Sequence, residues 1–248
     1  MQVRWITAFL DFPAAQFGAE VTFWRAISGS TVSPPRGPHR EFATLEPFSG
    51  DAHLRVQRVG SGPGGVHVDL HVDDRYAAAL EASALGAGDA VDHGTHLTTT
   101  SPGGLPICFV GFDGPLRRSR PIRWPEDTIS IIDQVCLDIP AALFARERAF
   151  WPALTGLSEE PTNNSELVAL HHDQQHTIRL LLRRLQPHDP RRHTTAHLDI
   201  ATTSVDDEIA RHQDWGATVL ERLDGAAMMA DPAGRRYCIT SRHPRSGR

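Results

Sequence analysis

Val66-His67-Val68-Asp69-Leu70-His71-Val72-Asp73-Asp74 alternates strictly between apolar and polar side chains as far as Val72. A strand sends successive residues to opposite faces, so His67, Asp69 and His71 share one face and Val68, Leu70 and Val72 the other. The pattern predicts a strand of an antiparallel sheet, packed on one side and turned to water or a ligand on the other. It has an echo in Ala196-His197-Leu198-Asp199-Ile200, and each copy leads into a short helix ending in Gly-Ala, at Gly86-Ala87 and Gly216-Ala217.

Other landmarks repeat in the same order. Leu10-Asp11-Phe12-Pro13 returns as Leu137-Asp138-Ile139-Pro140. Phe23-Trp24-Arg25-Ala26-Ile27-Ser28-Gly29 returns as Phe150-Trp151-Pro152-Ala153-Leu154-Thr155-Gly156, an offset of 127. Ser101-Pro102-Gly103-Gly104 with Cys108 returns as Asp231-Pro232-Ala233-Gly234 with Cys238 at an offset of 130, which His67 and His197 share. Ordered landmarks with so small a drift mark a tandem duplication.

Each copy reads as strand, helix and strands, twice over. In the first, a strand over 4–12 precedes a helix from Pro13, with Phe17, Val21 and Trp24 as its apolar stripe and Gly29 as its end. Strands follow over 41–46 and 53–59, then a glycine-rich turn over 60–65, the His67 strand, a helix over 75–85 and a closing strand over 105–111. The second copy places strands over 132–139, 166–171, 178–185, 197–201 and 235–240, with helices over 142–154 and 205–215. The expected division is a domain over 1–112, a Pro- and Arg-rich linker over 113–130 and a domain over 131–241. The end, 242–248, has no apolar anchor and is expected to be disordered.

Composition excludes several classes. A formal net charge of -5 argues against a nucleic-acid partner. No apolar run is long enough to span a bilayer. Three cysteines, Cys108, Cys136 and Cys238, are too few for a disulfide scaffold and suggest a reducing, cytoplasmic setting. The Gly60–Gly65 run leads into a strand rather than a helix, which argues against a dinucleotide loop.

Together, Phe-Trp-x-Ala-x-x-Gly after the first helix, His-x-Asp opening a strand, Gly-Ala after the second helix and Asp-Pro-x-Gly before the last strand resemble the glyoxalase-like group of the vicinal oxygen chelate (glyoxalase/bleomycin resistance/dioxygenase) superfamily. The resemblance covers nearly the whole chain. It implies an α+β fold of two tandem domains, each a pair of βαβββ modules forming a curved mixed sheet with helices on its outer face. It also implies a small-molecule ligand in the concave cup, and a monomer that is an internal pseudo-dimer, or a homodimer.

Metal-using members draw ligands from four cup positions. On the opening strand this chain places Trp5 and Ile132, neither able to bind a metal. The second position is Gln57 in the first half and Arg183 in the second; the third is His67 and His197; the fourth is Cys108 and Cys238. The resemblance therefore favours no cofactor, with a divalent metal (Zn, Ni, Mn or Fe) on His67, Gln57 and Cys108 as the alternative. In the second half Cys136 or Gln134 could add to His197 and Cys238, but Arg183 would oppose a cation. Strand parity adds His53, Arg55 and Gln57 to the cup face.

Two activities fit. One is proton transfer at a carbon next to a carbonyl, of lyase or isomerase type, with His67 or Asp69 as general base. The other is metal-free sequestration of a drug or metabolite, in the manner of the bleomycin-resistance branch, on Trp5, Phe9 and Arg55. Further ligand contacts are expected at Gln57, His71, Cys108, Gln134, Arg183, His197, Asp199 and Cys238. A dioxygenase is disfavoured because Ile132 stands where its opening-strand His would be.

Overall fold

The computed structural model describes residues 2–114, 116–171 and 176–246. The first half runs β1 (Val3–Pro13), α1 (Phe17–Ile27), β2 (Thr31–Val32), β3 (Phe42–Glu46) and β4 (Leu54–Val59). It continues with β5 (Gly65–Val72), α2 (Arg75–Ala84), β6 (Val91–Asp92), β7 (His96–Thr100) and β8 (Pro106–Gly111). The second runs β9 (Ile122–Arg123), β10 (Ile129–Ile139), α3 (Phe144–Thr155), β11 (Glu159–Glu160), β12 (Leu167–Leu170) and β13 (Arg179–Arg184). It ends with β14 (Thr195–Thr202), α4 (Val205–Gln213), β15 (Thr218–Leu223), β16 (Ala226–Ala230) and β17 (Arg236–Thr240).

Each half builds one mixed sheet. The strand orders, β2-β3-β4-β1-β5-β8-β7-β6 and β11-β12-β13-β10-β14-β17-β16-β15, are the same path drawn twice, with β9 added beside β10. The duplication and the α+β class read from the sequence are thus seen directly. Among the described residues no helix is long and apolar enough to cross a membrane.

Local chemistry accounts for the helix ends. The Asp74 side chain accepts from the Tyr76 and Ala77 amides to start α2, and Ser204 accepts from the Asp207 amide to start α4. Gly86 and Gly216 follow α2 and α4 with φ of 96° and 95°, a left-handed conformation that explains the repeated Gly-Ala. Helix α1 begins later than Pro13, because 13–16 forms a turn closed by the Gln16 amide on the Pro13 carbonyl. Its buried face is Glu20, Phe23, Trp24 and Ile27, one step round from the expected stripe, and it carries an acid.

By packing, the chain divides into two compact units. One comprises Met1–Ala8, Val66–Leu116 and Val135–Ala196, the other Phe9–Gly65, Arg117–Gln134 and His197–Arg248. In each, a helix glutamate meets the turn before a closing strand. In the first unit Glu147 of α3 accepts from Ser101 Oγ (2.5 Å), the Gly103 amide (2.6 Å), Thr194 Oγ1 (3.1 Å) and Trp151 Nε1 (2.5 Å). Gly103 leaves room for this: a Cβ there would lie 2.1 Å from Thr194 Oγ1 and 2.3 Å from Glu147 Oε1.

In the second unit Glu20 of α1 meets Asp231, whose carboxylate already accepts from Trp24 Nε1 (3.3 Å) and from the Ala233 and Arg235 amides. Arg242 of the same unit reaches the fully buried Asp133, so the final segment, expected to lack an anchor, is held at that residue.

Candidate functional site

β5 pairs in parallel with β8, and the register sets Val68 beside Ile107, Asp69 beside Cys108, Leu70 beside Phe109 and His71 beside Val110. The expected alternation holds. Val68, Leu70, Ile107 and Phe109 are fully buried on one face, and α2 packs on β7 and β8. His67, Asp69, His71 and Cys108 fall on the other face. The antiparallel setting expected for this strand does not hold at β8, because a strand–helix–strand crossover returns the chain in the same direction. Nor is the polar face open to water: His67 is 6 % exposed, Asp69 3 % and Cys108 8 %.

The side chains of His67, Asp69 and Cys108 converge, with one ligand atom from each lying within 4.8 Å of the others. His67 Nε2 stands 3.5 Å from Asp69 Oδ1. Burial pushes the Cys108 thiol above its ordinary range; hydrogen bonding to His67 pulls it back down, and the Asp69 charge adds to the rise. His71 does not join the trio: its Nε2 meets Thr7 Oγ1 at 2.9 Å.

The second half repeats the core of this arrangement. His197 Nε2 stands 3.2 Å from Asp199 Oδ1, and Asp199 pairs in register with Cys238. Here the Gln134 amide nitrogen donates to Asp199 Oδ2 at 2.5 Å, fixing that carboxylate from the opening strand. Cys238 makes a long contact of 3.7 Å to the Ile239 carbonyl.

The other candidates are placed as follows. Trp5 is 1 % exposed and meets the His176 ring edge-on, so it is a packing residue in its own unit. Phe9 and Arg55 lie together, with the guanidinium 5.8 Å from the ring centroid, in the unit that also holds Gln57. Gln57 sits on β4 opposite Phe42. Arg183 does not stand as a bare cation: its Nε donates to Asp138 at 2.6 Å, and Arg191 joins them. His53, expected on the cup face, is buried against the linker, with Nδ1 at Ser119 Oγ (2.9 Å) and Nε2 at the Ile132 carbonyl (3.0 Å). Burial lowers its pKa to about 4, so it is neutral.

The candidates read from the sequence include neither His93 nor His96. β7 sets His96 opposite Val110 and Thr98 opposite Cys108, on the face of the trio. The signal was present in the His-x-Thr alternation of 96–98, but only the strand register shows which face it joins.

Comparison with known proteins follows the same lines. The family model of the glyoxalase-like domain matches residues 7–110 and again 134–240. No curated protein matches the chain. Among solved structures, 2,2',3-trihydroxybiphenyl 1,2-dioxygenase from Sphingomonas wittichii strain RW1 is 15% identical, with TM-score 0.60, covering 96% of this chain and 90% of its own. The Mn(II)-bound glyoxalase from Novosphingobium aromaticivorans is 16% identical, with TM-score 0.62, covering 96% of this chain and 81% of its own. A mutant of 4-hydroxymandelate synthase from Streptomyces coelicolor is 14% identical, with TM-score 0.59 and coverages of 96% and 91%. At such identities the likeness is one of fold.

Proposed function

The chain belongs to the glyoxalase-like domain family, in two tandem copies, and on that premise we propose that it binds a small organic molecule against His67, Asp69 and Cys108 and moves a proton at a carbon next to a carbonyl. The convergence of these three buried side chains carries the reading. An imidazole beside a carboxylate is an acid–base pair: the His67 ring would take the proton and later return it, with Asp69, 3.5 Å from its Nε2, balancing the charge that develops. Burial keeps water from the carbanion that results. Such burial also suits a small molecule rather than a macromolecule as the ligand, and the three free cysteines suit a cytoplasmic setting.

A second reading, a divalent metal in the same place, is favoured by the donor set. Nitrogen, oxygen and sulfur ligands within 4.8 Å of one another suit zinc or a neighbouring transition metal, and fit it better than Gln57 would. His67, Asp69 and Cys108 would then hold the ion, which supplies Lewis acidity to polarise a carbonyl. Cys108 would have to give up its raised proton on binding. The base would then be another imidazole of that face, His71 or His96. A third reading, sequestration without turnover, draws its support from the apolar Trp5 and Ile132 on the opening strands.

The test is exchange of α-protons into D2O from a panel of small carbonyl compounds, followed by proton NMR, with metal content measured on the same samples. Loss of exchange by about 100-fold or more in His67→Gln, with the fold intact, is the expected result. Exchange that is unchanged in both His67→Gln and Asp69→Asn would overturn the assignment.

A further inference from the structure

The linker is seated on the second unit along one short stretch. Asp51, in the loop between β3 and β4, donates its amide to the Arg117 carbonyl (2.8 Å) and accepts the Arg117 amide on Oδ2 (2.6 Å). The Arg120 amide reaches the Ser49 carbonyl at 3.3 Å. Gly50, with φ of 86°, lets the strap lie this close: a Cβ there would stand 2.6 Å from the Arg118 carbonyl oxygen. Of residues 117–120 only Ser119 is buried, and none has an apolar side chain. Polar contacts hold the strap, which places it at the low-stability end of the unit.

Those contacts converge on His53. Its Nδ1 meets Ser119 Oγ at 2.9 Å and its Nε2 the Ile132 carbonyl at 3.0 Å, while Ser119 Oγ lies 2.8 Å from the Asp51 carbonyl. Three contacts thus draw on two hydrogens, one from a neutral imidazole and one from the hydroxyl. A second ring proton would complete the set, but it would bury a positive charge beside another. Arg118 of the strap acts against that charge, and its Nη2 is buried with no hydrogen-bond partner among the described residues. Asp51 is the acid at hand, and its carboxylate is taken by the Arg117 amide, with the Arg117 guanidinium 3.9 Å away. Arg120 is exposed. β10 offers the ring the Ile132 carbonyl, and the end of α1 brings Ile27 and Ser28, which carry no charge. The fold does not demand an imidazole here: at the offset of 126 that relates Gln57 to Arg183, the second half carries Arg179 in the place of His53.

We propose that His53 is an acid-sensitive latch for the linker, whose neutral ring holds residues 117–120 down and whose protonation accompanies their release. Freed, the ring takes a proton in the ordinary range near 6.5; seated, burial first and Arg118 with it keep the ring neutral down to about 4. Opening therefore takes up a proton between those values. The latch is at full strength above pH 6.5, loosens as pH falls through the window and levels off below 4. Opening also uncovers the crevice that the strap shares with Ile27, Leu54, Ile122 and Trp124.

The experiment is amide hydrogen exchange of the full chain at pH 7.5 and 4.5, corrected for intrinsic rates and read at Asp51, Arg117 and Arg120, with the His53 ring followed by NMR over the same range. Protection of these amides should fall roughly 50-fold between the two conditions. His53→Gln should abolish most of that fall. Arg118→Ala, which removes the cation beside the ring, should raise the pH at which the seated ring titrates and shrink the fall in protection. An equal loss of protection in wild type and His53→Gln, or a seated ring that titrates near pH 6.5, would overturn the proposal. Should His53→Gln fail to fold, the ring titration decides by itself: a wild-type midpoint below pH 5 that rises in Arg118→Ala upholds the latch, and any other pair of midpoints sinks it.

Discussion

Glu147 and Glu20 occupy equivalent places, each four residues before the tryptophan of its helix and each facing the turn before a closing strand, yet their surroundings are opposite. Glu147 meets Ser101, whose hydroxyl donates to it while accepting from the Leu105 amide. With Gly103, Thr194 and Trp151, four donors converge on one carboxyl group. Glu20 meets Asp231, which takes the Ser101 role towards the Arg235 amide but has no hydrogen to offer. Glu20 must therefore bring the proton itself. Burial, followed by the hydrogen bond and the charge of Asp231, raises its pKa from 4.5 to about 8. A single exchange of hydroxyl for carboxylate turns a satisfied acceptor into a titrating pair.

The largest effect expected in this comparison is at Glu147. Replacing it with Ala strands several buried donors at once and should cost roughly 3–5 kcal/mol in urea unfolding. Next is Gly103→Ala, whose Cβ has no room beside Thr194 and Glu147; about 2 kcal/mol is expected. The other half already carries Ala233 at this position, so the reverse change, Ala233→Gly, should cost well under 1 kcal/mol.

Third is Glu20→Gln. In the folded chain Glu20 keeps its proton up to about pH 8, whereas unfolded it loses it near 4.5. Unfolding between those values releases a proton, so wild-type stability falls as pH rises through that window and levels above it. The glutamine variant lacks this fall and should exceed wild type at pH 9 by on the order of 2 kcal/mol, with no advantage at pH 4. The smallest expected effect is Asp231→Ser, which imports the arrangement of the other half. It should flatten the same pH dependence while changing stability at pH 6 by about 1 kcal/mol or less. Parallel curves for wild type and Asp231→Ser between pH 5 and 9 would break the comparison.

Much of this molecule was legible in its sequence because duplication prints every signal twice. The alternation around His67, the Gly-Ala helix ends and the drift in offset from 127 to 130 sufficed for the fold. Part of the site was legible too, since His67, Asp69 and Cys108 were all named as candidates. His67 and Cys108 were already set together, with Gln57; that Asp69 lies with them depends on the β5–β8 register between strands far apart in the chain. His53 misled because its strand parity is right but the linker folds over it. The glutamates were overlooked although Glu20–Trp24 and Glu147–Trp151 repeat at the same offset, since an acid on a buried helix face runs against the apolar pattern by which a core is recognised.

The composition of the compact units has a consequence for what a severed chain could do. Trp24 finds its acceptor at residue 231, and Glu147 finds two of its donors at 101 and 103. A cut anywhere between residues 116 and 129 would separate both sets of partners while leaving every hydrogen-bonded strand ladder except β9–β10 on one fragment. Each fragment would then expose a tryptophan-bearing helix face and a bare turn that complement those of the other. The two pieces should reconstitute when mixed.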